Sequence, residues 1–464
     1  MSLPDPNTRE EIYLRNIGDG EGTVPDPVTR KERYLYKIAT GDGDIPDNPH
    51  TREEIYLEAI AEGGGGGGSL EGGYTVTFVS GSDPYAIKAV KDGESIDEVF
   101  IPIKDCPAGK IFGYWNTAAD GSGTEIYFPY TPQSDISLYA QFIDPYLWLV
   151  SDTSFTLGVT NVTKNWNGTL ETCTDGTTWS SWNGSTTVTA GVINGKYRIG
   201  LRGTGNTKFS TGSAPYTDYT FTISGINVTF EGYLASLFDY QTVASGNNLP
   251  SLTQYACNYL FNGNTSIVNT PRFEYISTSI GIYMGMFSNC TNLKKAHNLP
   301  APTLYNYSYN NMFYNDTSLI RAPEISARHG AQYALMSMFE GCSALVQAPA
   351  INLQSGSTGC LRNMFNGCLN LEEIPALSIL TMSTNECDQM FAGCAKIKIS
   401  TTQSDVYANP YKIPFISSNY TGTTSTGSLS SMFANTGGTL VGTPTVNTVY
   451  YTANKVIKPT MIGG

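Results

Sequence analysis

"MFEGCSAL", residues 338–345, returns 26 residues later as "MFNGCLNL" (364–371) and again as "MFAGCAKI" (390–397). Reading backwards, the same frame holds "MFYNDTSL" (312–319), "MFSNCTNL" (286–293) and the altered copy "LFNGNTSI" (260–267). Phe261, Phe287, Phe313, Phe339, Phe365 and Phe391 therefore recur at one fixed spacing. A period between about 20 and 50 residues marks units that cannot bury their apolar side alone and gain a core by stacking. Within one unit, Met338 and Phe339 are expected to end a short helical turn and Gly341 to permit a change of direction. Cys342 and Leu345 are expected to point inward, and "LVQAP" to form a strand. Stacked coils would then place equivalent residues about 4.8 Å apart, phenylalanine on phenylalanine.

The departures from the phrase matter as much as the phrase. Asn264 and Asp316 stand where other copies have cysteine, and the last copy, "MFANTGGTL" (432–440), begins 42 residues after its predecessor. That gap implies a 16-residue insertion near "DVYANPYKIPFISSNYTGTTSTGS" (405–428) and an atypical terminal coil. Four of the nine cysteines (Cys290, Cys342, Cys368, Cys394) share one phase of the repeat. They read as small buried hydrophobes rather than a disulfide framework. Cys360 and Cys387 are off that phase, and a bridge there stays open.

The pattern M-F-x-G-C-x-x-L-x-x-x-P closely resembles the BspA-like leucine-rich repeat of bacterial surface adhesins and of virion proteins of phages that infect gut bacteria. The resemblance runs from about 255 to 440 and implies a leucine-rich-repeat solenoid with 26-residue coils over 251–464.

Over all 464 residues, 40 acidic against 27 basic side chains give a net charge of −13, yet only 14% of residues are charged, against about 25% in ordinary soluble domains. Polarity comes from Thr, Ser, Asn, Gly and 30 tyrosines. Such a surface suits glycans or protein surfaces, whereas an acidic chain without a basic stripe repels phosphate backbones, so nucleic acid is not an expected partner. The start, "MSLPDPNTREEIYL", has no basic n-region or apolar h-region, and no apolar run approaches the roughly 20 residues of a membrane span. Neither a Sec signal nor membrane insertion is expected.

Residues 1–62 hold a second repeat: "PNTREEIYLRNI" (6–17), "PVTRKERYLYKI" (27–38) and "PHTREEIYLEAI" (49–60). Thr8, Thr29 and Thr51 each precede a glutamate by three residues (Glu11, Glu32, Glu54), the capping-box spacing that starts a helix. Three short helices are predicted, with Tyr13, Leu14 and Ile17, Tyr34, Leu35 and Ile38, and Tyr56, Leu57 and Ile60 on their apolar faces. Helices of about eight residues are marginal alone. They either pack together or act as three matched plugs for repeated sockets on a partner.

"GGGGGGSLEGG" (63–73) is a flexible tether. Residues 74–143 alternate like strands, and their G-Y-W-N-T, G-S-G-T and L-Y-A-Q-F segments resemble the Listeria-Bacteroides repeat, or internalin B-repeat, which implies a β-grasp-like spacer of surface proteins. Residues 144–250 stay β-like, with turns at Asp175-Gly176 and Asn194-Gly195, and read as a β-sandwich-like domain. Trp166, Trp179 and Trp182 either fill its core or offer a platform to sugar faces. The predicted fold class is thus multidomain and mainly β: short N-terminal helices, a β-grasp-like domain, a β-sandwich-like domain and the C-terminal solenoid.

Repeated positions are committed to packing, so function is sought at the variable ones. The richest such stretch is "TLYNYSYNNMFYN" (303–315), in which Tyr305, Tyr307, Tyr309, Asn310, Asn311 and Tyr314 are residue types favoured in binding loops. Either this edge contacts a receptor or it braces a loop between coils. His50, His297 and His329 are isolated, and no H-E-x-x-H, C-x-x-C, G-x-S-x-G or Walker spacing occurs. No catalytic residue, metal or cofactor is predicted.

The family resemblances imply a non-enzymatic virion protein of a tailed phage, a head or tail fibre. Its N-terminal repeats, which also look like attachment segments of phage structural proteins, would hold capsid or tail proteins. Its solenoid would bind a host cell-surface protein or glycan. Such a protein assembles in the host cytoplasm and ends on the particle. A bacterial surface adhesin and a polysaccharide depolymerase are the alternatives. Homo-oligomerisation stays open, since no coiled-coil heptads appear.

Overall fold

The computed structural model describes residues 73–458 except 82, 95, 97–105, 108, 127–129, 161–165, 210–220, 246–248, 274–278, 416–420, 423 and 441–442. The predicted anchor helices, with Tyr13, Leu14, Ile17, Tyr34, Leu35, Ile38, Tyr56, Leu57 and Ile60, lie outside the described residues. The described chain is mainly β, with many strands in several sheets and one α-helix. It divides into two compact units after Ile143.

The first unit is a five-stranded sheet of β1 (Gly73–Ser80), β2 (Asp83–Lys91), β3 (Ile111–Asn116), β4 (Glu125–Ile126) and β5 (Ile136–Ile143). The order is β2-β1-β5-β3-β4, with β1 and β5 parallel and the other pairs antiparallel. Alternation along β1 turns Val76 and Phe78 inward, and Phe78 meets the edge of Trp115 at 4.9 Å in a core shared with Val90, Ile96, Phe112 and Leu138. The motif residues around this core shape a loop. The buried Asn116 donates through Nδ2 to the carbonyls of Gly121 (3.2 Å) and Gly123 (3.3 Å). Gln141 holds the carbonyls of Ala118 and Ala119 at 3.3 and 3.2 Å.

The second unit, residues 144–458, begins with strands β6 (Leu147–Ser151), β7 (Thr156–Val159), β8 (Thr169–Cys173), β9 (Ser180–Trp182), β10 (Val188–Thr189), β11 (Gly191–Ile193), β12 (Lys196–Thr204), β13 (Phe221–Ser224) and β14 (Thr229–Gly232). They form an antiparallel sheet β14-β6-β12-β8-β9 with β11 beside β12, and a smaller sheet β10-β7-β13. Asn194 and Gly195 both have positive φ (51° and 76°), which a two-residue type I′ hairpin needs. Helix α1 (Ser236–Ala244), broken at Asp239, approaches β12 so closely that a Cβ on Gly203 would collide with the Leu237 carbonyl.

From residue 255 onward the 26-residue units lie on one another in register. Seven phenylalanine rings, ending with Phe433, form a file with centroids 5.4 to 6.2 Å apart and planes within 15°. The spacing exceeds the 4.8 Å expected for strands because parallel rings prefer an offset. Cys290, Cys342, Cys368 and Cys394 are buried and free, and each thiol donates to the carbonyl of a phenylalanine one unit earlier at 3.0 to 3.1 Å.

The expected helical turn before each Met-Phe is absent. In its place runs a ribbon of tight turns in which every fourth residue has positive φ, for example Gly359, Asn363 and Gly367 (62°, 55° and 75°). Alternate N–H groups close turns within the coil, as from Asn366 to Asn363 at 3.0 Å. The others reach the next coil: Tyr333, Leu335, Ser337, Phe339 and Gly341 donate to Thr358, Cys360, Arg362, Met364 and Asn366 at 2.8 to 3.1 Å. An α-helix would direct every donor along its own axis and leave none for the neighbour. "LVQAP" is likewise not a continuous strand. Gln347 makes single parallel bridges to Arg321 and Glu373.

Both ends of the stack depart from the repeat for visible reasons. Phe261 packs on Phe221 (5.7 Å) and Phe230 (4.9 Å), so the region before residue 250 shares a core with the first coil. Asn264, in the cysteine position, accepts from Ile223 N (2.6 Å) and donates to Phe221 O (2.6 Å). An amide can pair with both backbone groups of a strand, which a thiol cannot do. The short parallel pairs of β15 (Thr303–Leu304) with β16 (His329–Gly330), and of β17 (Ile351–Leu353) with β19 (Leu377–Ile379), keep the 26-residue offset. Strand β18 (Glu373–Pro375) lies between β17 and β19 in sequence. The insertion forms β21 (Asn409–Lys412), which pairs with β22 (Val449–Thr452), itself antiparallel to β20 (Ile399–Ser400). Strand β23 (Lys455–Ile457) then returns to lie parallel to β18. Tyr411, fully buried, places its ring against Phe433 at 6.1 Å and its hydroxyl on Pro375 O at 2.9 Å.

Candidate functional site

The Tyr/Asn stretch 303–315 sits in the third coil, where the ribbon dictates much of its composition. Tyr307, Asn311 and Asn315 occupy positions with φ of 61°, 54° and 60°. Asparagine enters this left-handed region more readily than other non-glycine residues. Asn315 then donates to Asn289 Oδ1 (3.1 Å) and Asn289 to Asn262 Oδ1 (3.2 Å), a short amide ladder. Tyr307 meets Tyr333 at a tilt of 31° with centroids 5.5 Å apart, and Tyr333 also lies against Gly359, where a Cβ would strike the ring.

The six receptor-binding candidates therefore separate. Tyr309 has no exposed surface and stacks on Tyr283 at 5.8 Å, and burial pushes its phenol pKa up. Asn310 is buried, with Nδ2 3.5 Å from Tyr333 O. These two cannot reach a partner, which corrects the expectation for both: the coil spends them on the interior. Tyr307 and Asn311 are half-buried and occupied with ribbon geometry. Tyr305 (49% exposed) and Tyr314 (37%) remain available, and Ile320 of the same coil adds a third exposed apolar side chain (51%). Ile320 carried no sequence signal, since an isoleucine beside a repeat reads as core.

The tryptophans divide in the same way. Trp166 and Trp182 are buried and stack on each other at 5.9 Å, and Trp182 Nε1 donates to Thr186 O at 2.8 Å. Trp179 is half-buried on the opposite face of the larger sheet. The guanidinium of Arg202 lies 4.4 Å from the Trp179 ring and 4.2 Å from Tyr240, while its Nε donates to Glu171 at 2.7 Å. Gly200 provides the floor, since a Cβ there would press on Trp148 and Trp179. The cluster uses its ring faces internally and works as a cross-strand clamp. Its members meet through the β8–β12 register, which no local motif encodes.

Several ionisable groups lie within the stack, Asp316 and Glu386 fully buried and His297 half-buried. Asp316, in the cysteine file, accepts from Cys290 N at 2.8 Å, and burial raises its pKa well above the carboxylate range. Glu386 accepts from Ser383 N at 2.7 Å, lies under Gly356, and is raised by burial to about 7. His297 is lowered to about 4, first by burial and then by the charge of Arg272, and its Nδ1 lies 2.8 Å from Thr270 O. Among the described residues no group of three or more His, Cys, Asp or Glu is placed to hold a metal. None of their helices is long and apolar enough to cross a membrane.

Residues 74–141 match the Listeria-Bacteroides repeat domain family, so this part of the chain is one such domain. No curated protein matches the chain. No solved structure matches it either.

Proposed function

We propose that this protein is a non-enzymatic structural and adhesion component of a tailed-phage virion, a head or tail fibre. In this reading the N-terminal repeats attach it to capsid or tail proteins through Tyr13, Leu14, Ile17 and their equivalents, and the stacked repeats act as a BspA-like leucine-rich-repeat solenoid. That solenoid presents the third coil, through Tyr305, Tyr314 and Ile320, to a host surface protein or glycan. The observation that carries the reading is the division of labour in the repeats. Phenylalanines and cysteines at fixed phase fill the interior, while Tyr305, Tyr314 and Ile320 of the third coil are left exposed. Exposed tyrosines supply rigid, amphipathic contact area of the kind used in binding surfaces.

The Listeria-Bacteroides repeat domain also supports a second reading, a bacterial surface adhesin, because that repeat is of a surface-protein type. Immunogold labelling separates the two: label on particles supports the fibre, and label on the cell envelope without particles supports the adhesin. Deleting residues 1–62 is expected to abolish incorporation into particles, and full incorporation would contradict the anchoring role. Replacing Tyr305 and Tyr314 with serine is expected to weaken binding to host cells. Unchanged binding would move the contact surface elsewhere.

A further inference from the structure

The hydrogen-bond rule of the stack leaves one set of donors without acceptors among the described residues. Each of the six coil-to-coil interfaces is closed by five N–H groups at alternate residues, all donating to carbonyls of the following coil at 2.7 to 3.2 Å. At the last of these, Asn385, Cys387, Gln389, Phe391 and Gly393 donate to Thr426, Ser428, Ser430, Met432 and Ala434. The equivalent donors of the terminal coil are Gly427, Leu429, Ser431, Phe433 and Asn435, and their N–H groups have no acceptor among the described residues. The ribbon is otherwise intact there: Ser428, Ser430, Met432 and Ala434 close their turns at 3.0 to 3.3 Å, and Gly427, Ser431 and Asn435 keep positive φ (70°, 50° and 57°).

A pocket of about 410 Å³ lies against the first part of this strip. Its lining includes Ser425, Gly427, Leu429 and Ser430 of the terminal coil, faced by Thr443 and Thr445, and it carries no charged side chain. The inner end of the strip is covered, since Tyr411 packs on Phe433. At the outer end Gly427 is half-buried, Leu429 buried and Ser431 exposed, and Thr443 and Thr445 stand across the pocket.

We propose that residues 427–431 form a main-chain docking edge for a polypeptide segment of another protein, which adds to the stack as an eighth ribbon and accepts the unpaired N–H groups with its carbonyls. The occupant follows from continuity with the six interfaces beneath it, where the same donors at the same spacing are all met by backbone carbonyls. Partial charge agrees, because a row of N–H groups with no carboxylate in the pocket favours an acceptor row. The beginning of the stack cannot serve a second copy in this way. Two carbonyls of its ribbon row, Ala256 and Leu260, already accept from Phe209 and Phe221, and Val228 N occupies Ser266 O beside them. This edge is distinct from the third-coil surface, and the proposal stands whether or not that surface binds a host.

The test is amide exchange of the full chain, with and without a synthetic peptide of residues 331–345, whose carbonyls at Gln332, Ala334, Met336, Met338 and Glu340 are acceptors in their own coil. In the free protein, the amides of Gly427, Leu429 and Ser431 should exchange about 100-fold faster than those of Asn385, Cys387 and Gln389. Saturating peptide should slow them about tenfold. Ser430→Trp, which fills the pocket while keeping the backbone, should abolish the slowing, with protection at Cys387 and Gln389 reporting that the coil beneath is folded. Should that variant lose this protection, Thr445→Trp replaces it from the opposite wall. Slow exchange in the free protein, or no effect of the peptide, overturns the proposal. Slowing by methyl glycosides but not by peptide also overturns it and reassigns the pocket to a saccharide.

Discussion

Residues 73–143 and the coils after residue 255 both bury aromatic rings, but the rings have different kinds of neighbour. Trp115 meets Phe78 edge-on and Phe112 at a tilt, an arrangement used once. Phe339 lies between Phe313 and Phe365, each 5.6 Å away and within 8° of parallel, and those rings have equivalent neighbours in turn. A non-repeating core depends on every member at once, whereas a stack depends on each unit covering the next. Position therefore matters in the stack in a way it does not in the sheet: an internal coil has two covered faces, and a terminal one must be covered by something else.

The largest expected effects come from removing a ring. Phe339→Ala and Trp115→Ala should each cost about 3–5 kcal/mol, through lost transfer energy and a cavity. The comparison predicts that Trp115→Ala lowers only the transition of residues 73–143 and Phe339→Ala only that of 144–458, read by amide exchange or limited proteolysis across a thermal ramp. A common shift would show that the two units do not unfold separately.

A similar but pH-dependent effect is expected from the buried carboxyls, which have no counterpart among the described core residues of the first unit. Asp316 and Glu386 hold their protons more tightly folded than unfolded. Their contribution is fully present below the ordinary carboxylate range and is lost as pH rises, through about 7 for Glu386. Residues 144–458 should thus be more stable at pH 5 than at pH 8, by about 3 kcal/mol from Glu386 alone. Denaturant titrations at the two pH values measure the difference. Glu386→Gln should reduce it, and an unchanged slope would show that Glu386 is not its source.

Smaller effects test the files themselves. Cys342→Ser keeps a second donor for Phe313 O, while Cys342→Val leaves that carbonyl with only the longer bond from Asp316 N (3.3 Å), so valine should cost about 1 kcal/mol more than serine in equilibrium unfolding. The smallest effects belong to the exposed tyrosines. Tyr305→Ser and Tyr314→Ser should change stability by less than about 0.5 kcal/mol, against several for Tyr309→Ser. A large loss at Tyr305 would mean that it supports the coil rather than a contact.

Much of the stack was legible because repetition is a one-dimensional signal. The period, the phase of Phe339, Cys342 and Leu345, and the atypical last copy all follow from the spacing of one phrase. The ribbon reads as a helical turn in the sequence because its marker, glycine or asparagine at every fourth residue, is hidden by tyrosines such as Tyr307 and Tyr333 that adopt the same positive φ. The Tyr/Asn edge divides between interior and surface for the same reason. Its composition answered a backbone demand at 307, 311 and 315 as well as leaving side chains exposed.

The sequence alone determined that residues at fixed phase stack on their own copies, because any other arrangement would leave six equivalent apolar sides uncovered. Tertiary structure decided which of six neighbouring polar and aromatic residues face solvent, why Asn264 replaces a cysteine, and where a row of N–H groups is left unmatched among the described residues. Each of these depends on what lies one coil away, 25 or more residues along the chain, or on what lies beyond the last coil. A repeat fixes the interior of a stack and says nothing of its ends.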